Sequence, residues 1–290
     1  MGIEYASHGP NEGEVVLLVM GVGGQLTLWP QGLIDLLTGK GLSALTHDAR
    51  DVGLSDKMDA AGLPDLPAVI AAASRGETAP VPYHLEDMAE DAVGLLDALG
   101  IQKAHIVDGS MGGMVAQLIA SDHPEHVLTL TSIMSTTANP ELPGASLELT
   151  LQMTKTPPDP HQDLEGWLAH SVATSRLTQS PAYPADEEQL RTQFKNDFER
   201  CYYPAGFARH YAAILAAPDR RPKLGKITAP TLVIHGADDP LVPLACGRDT
   251  ADSIPNTELL IVPGMGHDFP PQLFNVIADA VEGVARRART

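Results

Sequence analysis

Short apolar runs recur along the chain and predict buried β-strands. Each run is four to six residues long and lacks the polar alternation of a strand with one solvated face. Such runs are typical of parallel strands that are covered on both sides. They are Val15–Val19, Ala104–Val107, Val127–Ser132, Thr231–His235 and Leu259–Val262.

Between the runs, the apolar residues change to helical spacing. From Glu86 to Leu99 they keep to one face, and four acids occupy the first turns, the end where the helix dipole favours negative charge. From Gln272 to Arg287 they follow positions i, i+3, i+4, i+7, i+8 and i+11, which indicates an amphipathic helix. This alternation predicts an α/β fold with a mostly parallel central sheet and helices on both faces.

Two segments interrupt the alternation. Residues 56–84 are rich in alanine and proline, and residues 136–223 form a longer stretch of helical and loop-like sequence. The longer segment carries eight of the thirteen aromatic residues of the chain. Because ligands bind at the carboxyl edge of open α/β sheets, we expect residues 136–223 to form a helical cap. The core then consists of residues 1–135 and 224–290.

Composition narrows the class of protein without naming a function. The 290 residues are 43% hydrophobic and carry a formal charge of −18, which fits a globular protein and argues against a nucleic-acid partner. No apolar stretch is long enough for a membrane span, and residues 1–10 lack the pattern of a secretory signal. The two cysteines, Cys201 and Cys246, are too few for a disulfide framework. We therefore expect a cytoplasmic protein, monomeric or homodimeric, with no membrane partner.

Three motifs carry candidate chemistry. Residues 105–116 read HIVDGSMGGMVA and place Ser110 in a tight turn between a strand and a helix, the setting of a nucleophile elbow. A serine that merely caps the helix is the alternative. Residues 232–243 read LVIHGADDPLVP, an apolar strand followed by two acids. Residues 261–268 read IVPGMGHD, a strand followed by a histidine next to glycine.

The order of these motifs is more informative than any one of them. Ser110, Asp239 and His267 each follow a predicted strand, in the serine–acid–histidine order of an α/β-hydrolase triad. Over nearly its whole length the chain resembles the α/β-hydrolase superfamily, and it looks most similar to capped serine esterases such as aclacinomycin methylesterase. Residues 19–24, VMGVGG, are similar to the oxyanion turn of that superfamily, and residues 48–55, DARDVGLS, to its D-x-R-G-x-G-x-S turn.

The resemblance implies catalytic roles for three side chains. Ser110 is the nucleophile, and His267 is the base that takes up its proton and later returns it to the leaving group. Asp239 fixes the tautomer of the histidine and stabilises its protonated form. The neighbouring Asp238 competes for this role, and the spacing of the family favours Asp239.

The resemblance also implies an oxyanion hole and a place for the cap. The backbone N–H groups of Val22 and Met111 would bind the developing negative charge. The cap would be inserted after the sixth strand. Its aromatic rings are expected to line an apolar substrate pocket, the alternative being that they form the core of the cap itself. The rings singled out for substrate binding are Trp167, Phe194, Tyr202 and Phe207.

One position departs from the pattern of the superfamily. Relatives usually carry glycine two residues before the nucleophile, where this chain has Asp108. Its carboxyl group either lies in the packing between strand and helix, at a cost in stability, or points into the site and favours the protonated form of His267.

Other chemistries fit the sequence less well. The glycines at 21, 23 and 24 do not complete a dinucleotide motif because position 26 is leucine, and Lys40 lacks the upstream glycine of a phosphate loop. The histidines do not have the spacing of a metal site, and Ser110 stands where an aspartate nucleophile would be. We therefore expect neither metal nor cofactor.

The sequence thus predicts a serine hydrolase that forms an acyl-enzyme on Ser110. Its substrate would be a small-molecule carboxylic ester, with a lactone and the methyl ester of a bulky apolar compound as variants. Hydrolysis of a C–C bond and cofactor-free perhydrolysis are alternatives on the same three residues. A binding protein that keeps the fold but has lost turnover is a further alternative, motivated by Asp108.

Overall fold

Seven strands form one central sheet in the computed structural model, which describes residues 1–10, 12–153 and 155–289. In chain order the strands are Tyr5–His8 (β1), Val15–Val19 (β2), Ser43–His47 (β3), Ala104–Asp108 (β4), Val127–Ile133 (β5), Thr231–Gly236 (β6) and Thr257–Val262 (β7). Across the sheet they lie in the order β1, β3, β2, β4, β5, β6, β7. Only β1 runs antiparallel to its neighbour, so the predicted, mostly parallel α/β sheet is confirmed.

The five apolar runs of the sequence all become strands of this sheet. Strands β1 and β3 have no such run. The β3 strand reads SALTH, and its polar residues Thr46 and His47 are nevertheless buried. Hydrophobic patterning therefore misses a strand whose interior positions are polar.

The described residues form eleven helices. They are Gln31–Gly39 (α1), Leu66–Ser74 (α2), Leu85–Ala98 (α3), Met111–Asp122 (α4), Leu147–Met153 (α5), Leu164–Arg176 (α6), Glu187–Arg200 (α7), Pro204–Ala216 (α8), Arg221–Leu224 (α9), Leu244–Ser253 (α10) and Phe274–Arg287 (α11). Short 3-10 turns occur at Leu26–Leu28, Asp59–Ala61, Pro124–His126 and Pro271–Leu273. Within the described chain, every helix is too short or too polar to cross a membrane.

Helices cover both faces of the sheet because successive side chains of a strand point to opposite sides. On β2, Leu17 and Val19 pack with helices α3 and α4, whereas Val16 and Leu18 pack with α1 and α11. Strands β2, β4, β5 and β6 are consequently buried on both sides, as their uninterrupted apolar sequences predict, whereas the edge strand β7 is only partly buried.

Residues 136–223 lie between β5 and β6 and contribute helices α5 to α9 instead of strands. This inserted segment was expected after the sixth strand, and that expectation is wrong. It follows the fifth, because within the described residues only the edge strand β1 precedes the parallel strands. Since β5 and β6 are paired neighbours, the segment leaves and rejoins the sheet at adjacent positions.

Candidate active site

Ser110 lies in a sharp turn between β4 and α4. Its backbone adopts φ +59° and ψ −120°, a conformation that residues with a Cβ atom rarely adopt. Two hydrogen bonds hold it there: the Ser110 N–H donates to the Ile133 carbonyl at 3.0 Å, and the Gly109 N–H donates to the Val19 carbonyl at 3.1 Å. The turn is thus tied to the neighbouring strands β5 and β2. The half-buried serine is placed at the carboxyl edge of the sheet.

Glycine behind the turn lets α4 approach the sheet closely. A Cβ atom at Gly112 would lie 2.1 Å from the Val19 carbonyl oxygen, well inside contact distance. The first turn of α4 can therefore pack directly on the end of β2, which keeps the Met111 N–H at the start of the helix next to Ser110.

A continuous hydrogen-bond chain joins the three predicted catalytic side chains. Nε2 of His267 lies 2.8 Å from Oγ of Ser110, and Nδ1 lies 2.7 Å from Oδ2 of Asp239. A carboxylate can only accept, so Nδ1 carries the proton and Nε2 is free to accept from the serine hydroxyl. This tautomer is the one that a general base requires.

The two neighbouring acids have different partners. Oδ1 of Asp239 accepts the N–H groups of Leu241 and Val242 at 2.9 and 2.8 Å, so the carboxylate is fixed from both sides. Asp238 is exposed and accepts the Gly264 N–H at 2.8 Å. The structure therefore brings Asp239, and not Asp238, to His267.

A second histidine supports the loop of the acid. His235 is fully buried, and its Nε2 lies 2.8 Å from the Val242 carbonyl oxygen. Burial lowers the pKa of His235, which keeps the ring neutral and able to donate this bond. The loop of Leu241 and Val242, which donates to Asp239, is thus anchored by a hydrogen bond from His235 of β6.

The inserted segment holds the loop that carries His267. The His267 N–H donates to the Thr178 carbonyl at 2.7 Å, and the Gly266 N–H donates to Oγ of Ser180 at 2.8 Å. The Ser180 N–H in turn donates to Asp268 at 3.0 Å. Residues after α6 therefore fix the backbone on both sides of the histidine.

The two N–H groups of the predicted oxyanion hole are unused. Among the described residues, neither the Val22 N–H nor the Met111 N–H donates a hydrogen bond to another residue. The backbone of Gly21, next to Val22, lies against the serine: a Cβ there would be 3.1 Å from Cβ of Ser110. One of these donors thus belongs to the 21–24 turn, whose Gly21 lies against Ser110, and the other to the start of α4.

Asp108 lies in the packing between strand and helix. Its Oδ1 accepts the Ile133 N–H at 3.0 Å, and a Cβ atom at Gly113 would lie 2.6 Å from the same oxygen. Burial raises the pKa of Asp108 well above its usual range, which favours a neutral acid. The first of the two interpretations of Asp108 is therefore the one that matches the structure.

The predicted substrate-binding rings fall into two groups. Trp167, Phe194 and Tyr202 are partly exposed, and Trp167 contacts each of the other two, with ring centroids of Trp167 and Tyr202 5.8 Å apart. Phe207 is elsewhere, on α8, with 50% of its surface exposed, and a Cβ at Gly23 would lie 2.7 Å from its ring. Only Phe207 is thus seen to border the 21–24 turn.

No group of three or more histidine, cysteine, aspartate or glutamate side chains within residues 1–10, 12–153 and 155–289 has an arrangement that could hold a metal ion.

Comparison with known proteins agrees with this geometry. A family model described as the alpha/beta hydrolase fold matches residues 14–271. The chain therefore belongs to the α/β-hydrolase fold family, and it is a hydrolase. The predicted resemblance to the esterases of that superfamily is confirmed.

Relatives and neighbours span almost the whole chain. A protein of Variovorax paradoxus (strain S110) named "Putative carbamate hydrolase RutD" is 31% identical, over 92% of this chain and 90% of its own length. A rhodomycin D methylesterase of Streptomyces sp. (strain C5) is 27% identical, over 93% of this chain and 91% of its own. A solved meta-cleavage product hydrolase from Pseudomonas fluorescens IP01 is similar in fold, with a TM-score of 0.75 at 19% identity, covering 99% of this chain and 94% of the other.

Several residues that shape the site have no signal in the sequence. Ser180 lies in an irregular loop, and His210 and Arg209 lie on a helix, with no motif around any of them. The bond from the Gly23 N–H to His210 joins residues 187 positions apart. Only a three-dimensional structure can reveal contacts of that range.

Proposed function

We propose that the protein hydrolyses a carboxylic ester through an acyl-enzyme on Ser110. The observation that carries the proposal is the unbroken hydrogen-bond chain from Ser110 Oγ through His267 to Asp239. The free N–H groups of Val22 and Met111 beside the serine add support. An isolated helix-capping serine would need none of these partners.

The first half of the reaction forms the acyl-enzyme. Ser110 Oγ attacks the carbonyl carbon while its proton moves to Nε2 of His267, and Asp239 stabilises the resulting imidazolium. The carbonyl oxygen becomes negatively charged and accepts hydrogen bonds from the Val22 and Met111 N–H groups. Because both donors are backbone N–H groups, they can point at the oxygen before its charge develops and need little reorientation during the step.

The acyl-enzyme is complete when the bond between the acyl carbon and the leaving oxygen breaks, as His267 gives its proton to the departing alcohol. The second half releases the acid. A water molecule then attacks the acyl carbon with His267 again as base, and the bond to Ser110 Oγ breaks. The acid leaves and the serine is regenerated.

We propose that residues 136–223 act as a helical cap over this site. In support, the loop after α6 bonds to the backbone on either side of His267, through Thr178 and Ser180. Helix α8 places Phe207 against Gly23 of the 21–24 turn. Both ends of the site are therefore in contact with the inserted segment.

The substrate proposed here is an ester with a bulky apolar acyl group, the methyl ester of such an acid being one form. Apolar side chains pack beside the turn of the serine: a Cβ at Gly109 would lie 3.0 Å from the Phe269 ring and 3.6 Å from Met134 Cε. The partly exposed rings of the inserted segment would extend this surface. The methylesterase relative supports the same substrate class. The proposed ring contacts are Trp167, Phe194, Tyr202 and Phe207.

A carbamate is the second candidate substrate. A relative with a carbamate hydrolase name is 31% identical over 92% of the chain. The same attack by Ser110 would apply to a carbamate carbonyl, with loss of the amine or the alcohol as leaving group.

The test is an activity screen with a covalent probe. Purified protein would be assayed with p-nitrophenyl esters of increasing acyl length, lactones, bulky methyl esters and carbamates, next to Ser110→Ala and His267→Ala. We expect each variant to lose about 10⁴-fold or more in kcat, and the double variant to be little worse, because the residues act as a unit. Mass spectrometry should find an organophosphonate attached to the peptide that contains Ser110.

Two acids provide a matched control. Asp239→Asn should lower kcat by roughly 10⁴-fold because the amide stabilises the wrong histidine tautomer. Asp238→Asn should retain activity because its carboxylate faces Gly264. The reverse result would reassign the acid. An unlabelled Ser110 and no turnover in the screen would instead favour the binding protein.

A further inference from the structure

Helix α8 is bonded to the turn that contains Val22. The Gly23 N–H donates to Nδ1 of His210 at 3.2 Å, and Nε2 of the same ring lies 2.8 Å from the Arg50 carbonyl oxygen. An N–H can only donate and a carbonyl can only accept. The imidazole is therefore neutral, unprotonated at Nδ1 and protonated at Nε2.

The surroundings of His210 keep the ring in that state and place. The side chain is fully buried, and burial lowers the pKa of His210 to about 4. Its neighbour Arg209 is 1% exposed and donates to both carboxylate oxygens of Asp51 at 2.7 and 2.9 Å. A Cβ at Gly206 would lie 2.0 Å from the Asp51 carbonyl oxygen, so the first turn of α8 packs directly on that backbone. The ring is thus carried by a firmly anchored helix.

The turn itself lacks intrinsic rigidity. Three of its four residues, 21–24, are glycine, and glycine restricts the backbone least. One internal bond closes it, from the Gly24 N–H to the Gly21 carbonyl at 3.1 Å. Gly21 faces Ser110, while Gly23 faces α8. Among the described residues, the hydrogen bond that ties the N–H groups of this turn to another element is the one from Gly23 to His210 on α8.

We propose that His210 is a positioning residue for the oxyanion hole: by accepting the Gly23 N–H it fixes the peptide unit that follows Val22, and with it the direction of the Val22 N–H. This inference rests on the proposed function. His210 acts through the backbone of the 21–24 turn and places a residue of the inserted segment in control of the rate of the chemical step.

A matched pair of substitutions separates the two bonds of the ring. In His210→Asn, the amide oxygen stands near the position of Nδ1 and can still accept the Gly23 N–H, while the bond to Arg50 is lost. In His210→Gln, the amide nitrogen reaches the position of Nε2 and can donate to Arg50, while the bond to Gly23 is lost. Both variants remove the ring, so they share the cost in packing.

The readouts are kcat and KM for a p-nitrophenyl ester, together with the thermal midpoint. We expect His210→Gln to lose about ten-fold or more in kcat, with KM changed less than about two-fold, since the oxyanion donor acts mainly in the transition state. The conservative His210→Asn should restore kcat to within about three-fold of wild type even if its thermal midpoint falls.

The result that overturns the inference is an equal loss of kcat in both variants, or a full kcat in His210→Gln. If His210→Gln does not fold, His210→Asn alone decides, because a folded variant with more than about a ten-fold loss contradicts the role. Organophosphonate labelling of wild type keeps this test apart from the proposed function. A labelled Ser110 with no difference between the variants refutes only the role of His210, whereas an unlabelled Ser110 refutes the proposed function.

Discussion

At the scale of single residues, the unusual feature of this protein is Asp108, a buried acid two residues before Ser110. Asp108 binds the Ile133 N–H, while the Ile133 carbonyl accepts the Ser110 N–H. Both backbone groups of Ile133 in β5 are therefore hydrogen-bonded to this region: its N–H to the Asp108 carboxyl group and its carbonyl to the Ser110 N–H. A glycine at 108 would leave the Ile133 N–H without this partner.

The charge state of Asp108 gives a prediction for stability. Its pKa is raised in the folded protein, so the folded state binds a proton that the unfolded chain has released above about pH 4. The contribution of Asp108 to the wild-type free energy of unfolding should therefore fall as pH rises above that value, until the folded-state pKa is passed, in opposition to the contribution of the buried histidines. Asp108→Asn cannot titrate and still offers an oxygen to Ile133. Its stability relative to wild type should increase with pH over this window.

Urea denaturation of both proteins between pH 4 and pH 8 measures this difference. Asp238→Asn is the control, because that side chain is exposed. A stability difference that stays constant over the range would show that Asp108 titrates normally.

The sequence predicts the catalytic residues because each one follows a strand end. Parallel strands bring their carboxyl ends to one edge, so Ser110, Asp239 and His267 could be placed together without a structure. Asp108 could not be assigned, since an acid at that point of a strand fits both packing and catalysis. Its hydrogen bond to Ile133 depends on the pairing of β4 with β5.

At the scale of elements, the position of α4 is decided by close approach to β2. The helix begins where a Cβ at Gly112 would meet the Val19 carbonyl oxygen. The sequence predicts the strand from its apolar run and the helix from the motif around Ser110. The distance between them is set by Gly112, because a glycine has no side chain to hold them apart. A hydrophobic pattern contains no information on that distance.

Two glycine substitutions test this close approach. Gly94, in α3, has nothing within 4 Å of an added Cβ, so Gly94→Ala should stabilise the protein by up to about 1 kcal/mol through helix propensity. Gly112→Ala should instead lower both stability and kcat, because α4 must move away from Val19 and take the Met111 N–H with it. Urea midpoints and ester kinetics would measure both. Equal gains in stability would contradict the packing argument.

At the scale of the whole molecule, buried histidines link folding to pH. Burial lowers the pKa of both His47 and His210 to about 4. In the unfolded chain their pKa is near 6.5, so between these values the unfolded state binds protons that the folded state does not. Stability is therefore lost as pH falls through this range and is fully present above it.

We expect the free energy of unfolding to fall between about pH 6.5 and pH 4, by roughly 1.4 kcal/mol per pH unit for each buried histidine. In His47→Asn, the slope of the free energy of unfolding against pH should be smaller by an amount equal to about one bound proton, since Asn does not titrate. Denaturant titrations at several pH values measure it, with His161→Asn as the control because His161 is exposed. An unchanged slope in His47→Asn would mean that this histidine is protonated in the folded protein.

The adjacency of β5 and β6 has a consequence for how such enzymes diversify. The inserted segment starts and ends on neighbouring strands, and the Arg220 N–H bonds to the Thr137 carbonyl at 2.9 Å, which joins its two ends. A foreign segment with ends this close could replace it by recombination while the sheet keeps its topology. Such an exchange would also remove Ser180 and His210, which hold the histidine loop and the 21–24 turn. With the cap and His210 in the roles proposed above, a chimaera would inherit its substrate preference and its turnover from the same stretch of chain, and swapped segments would need compensating contacts before their new specificity could be selected.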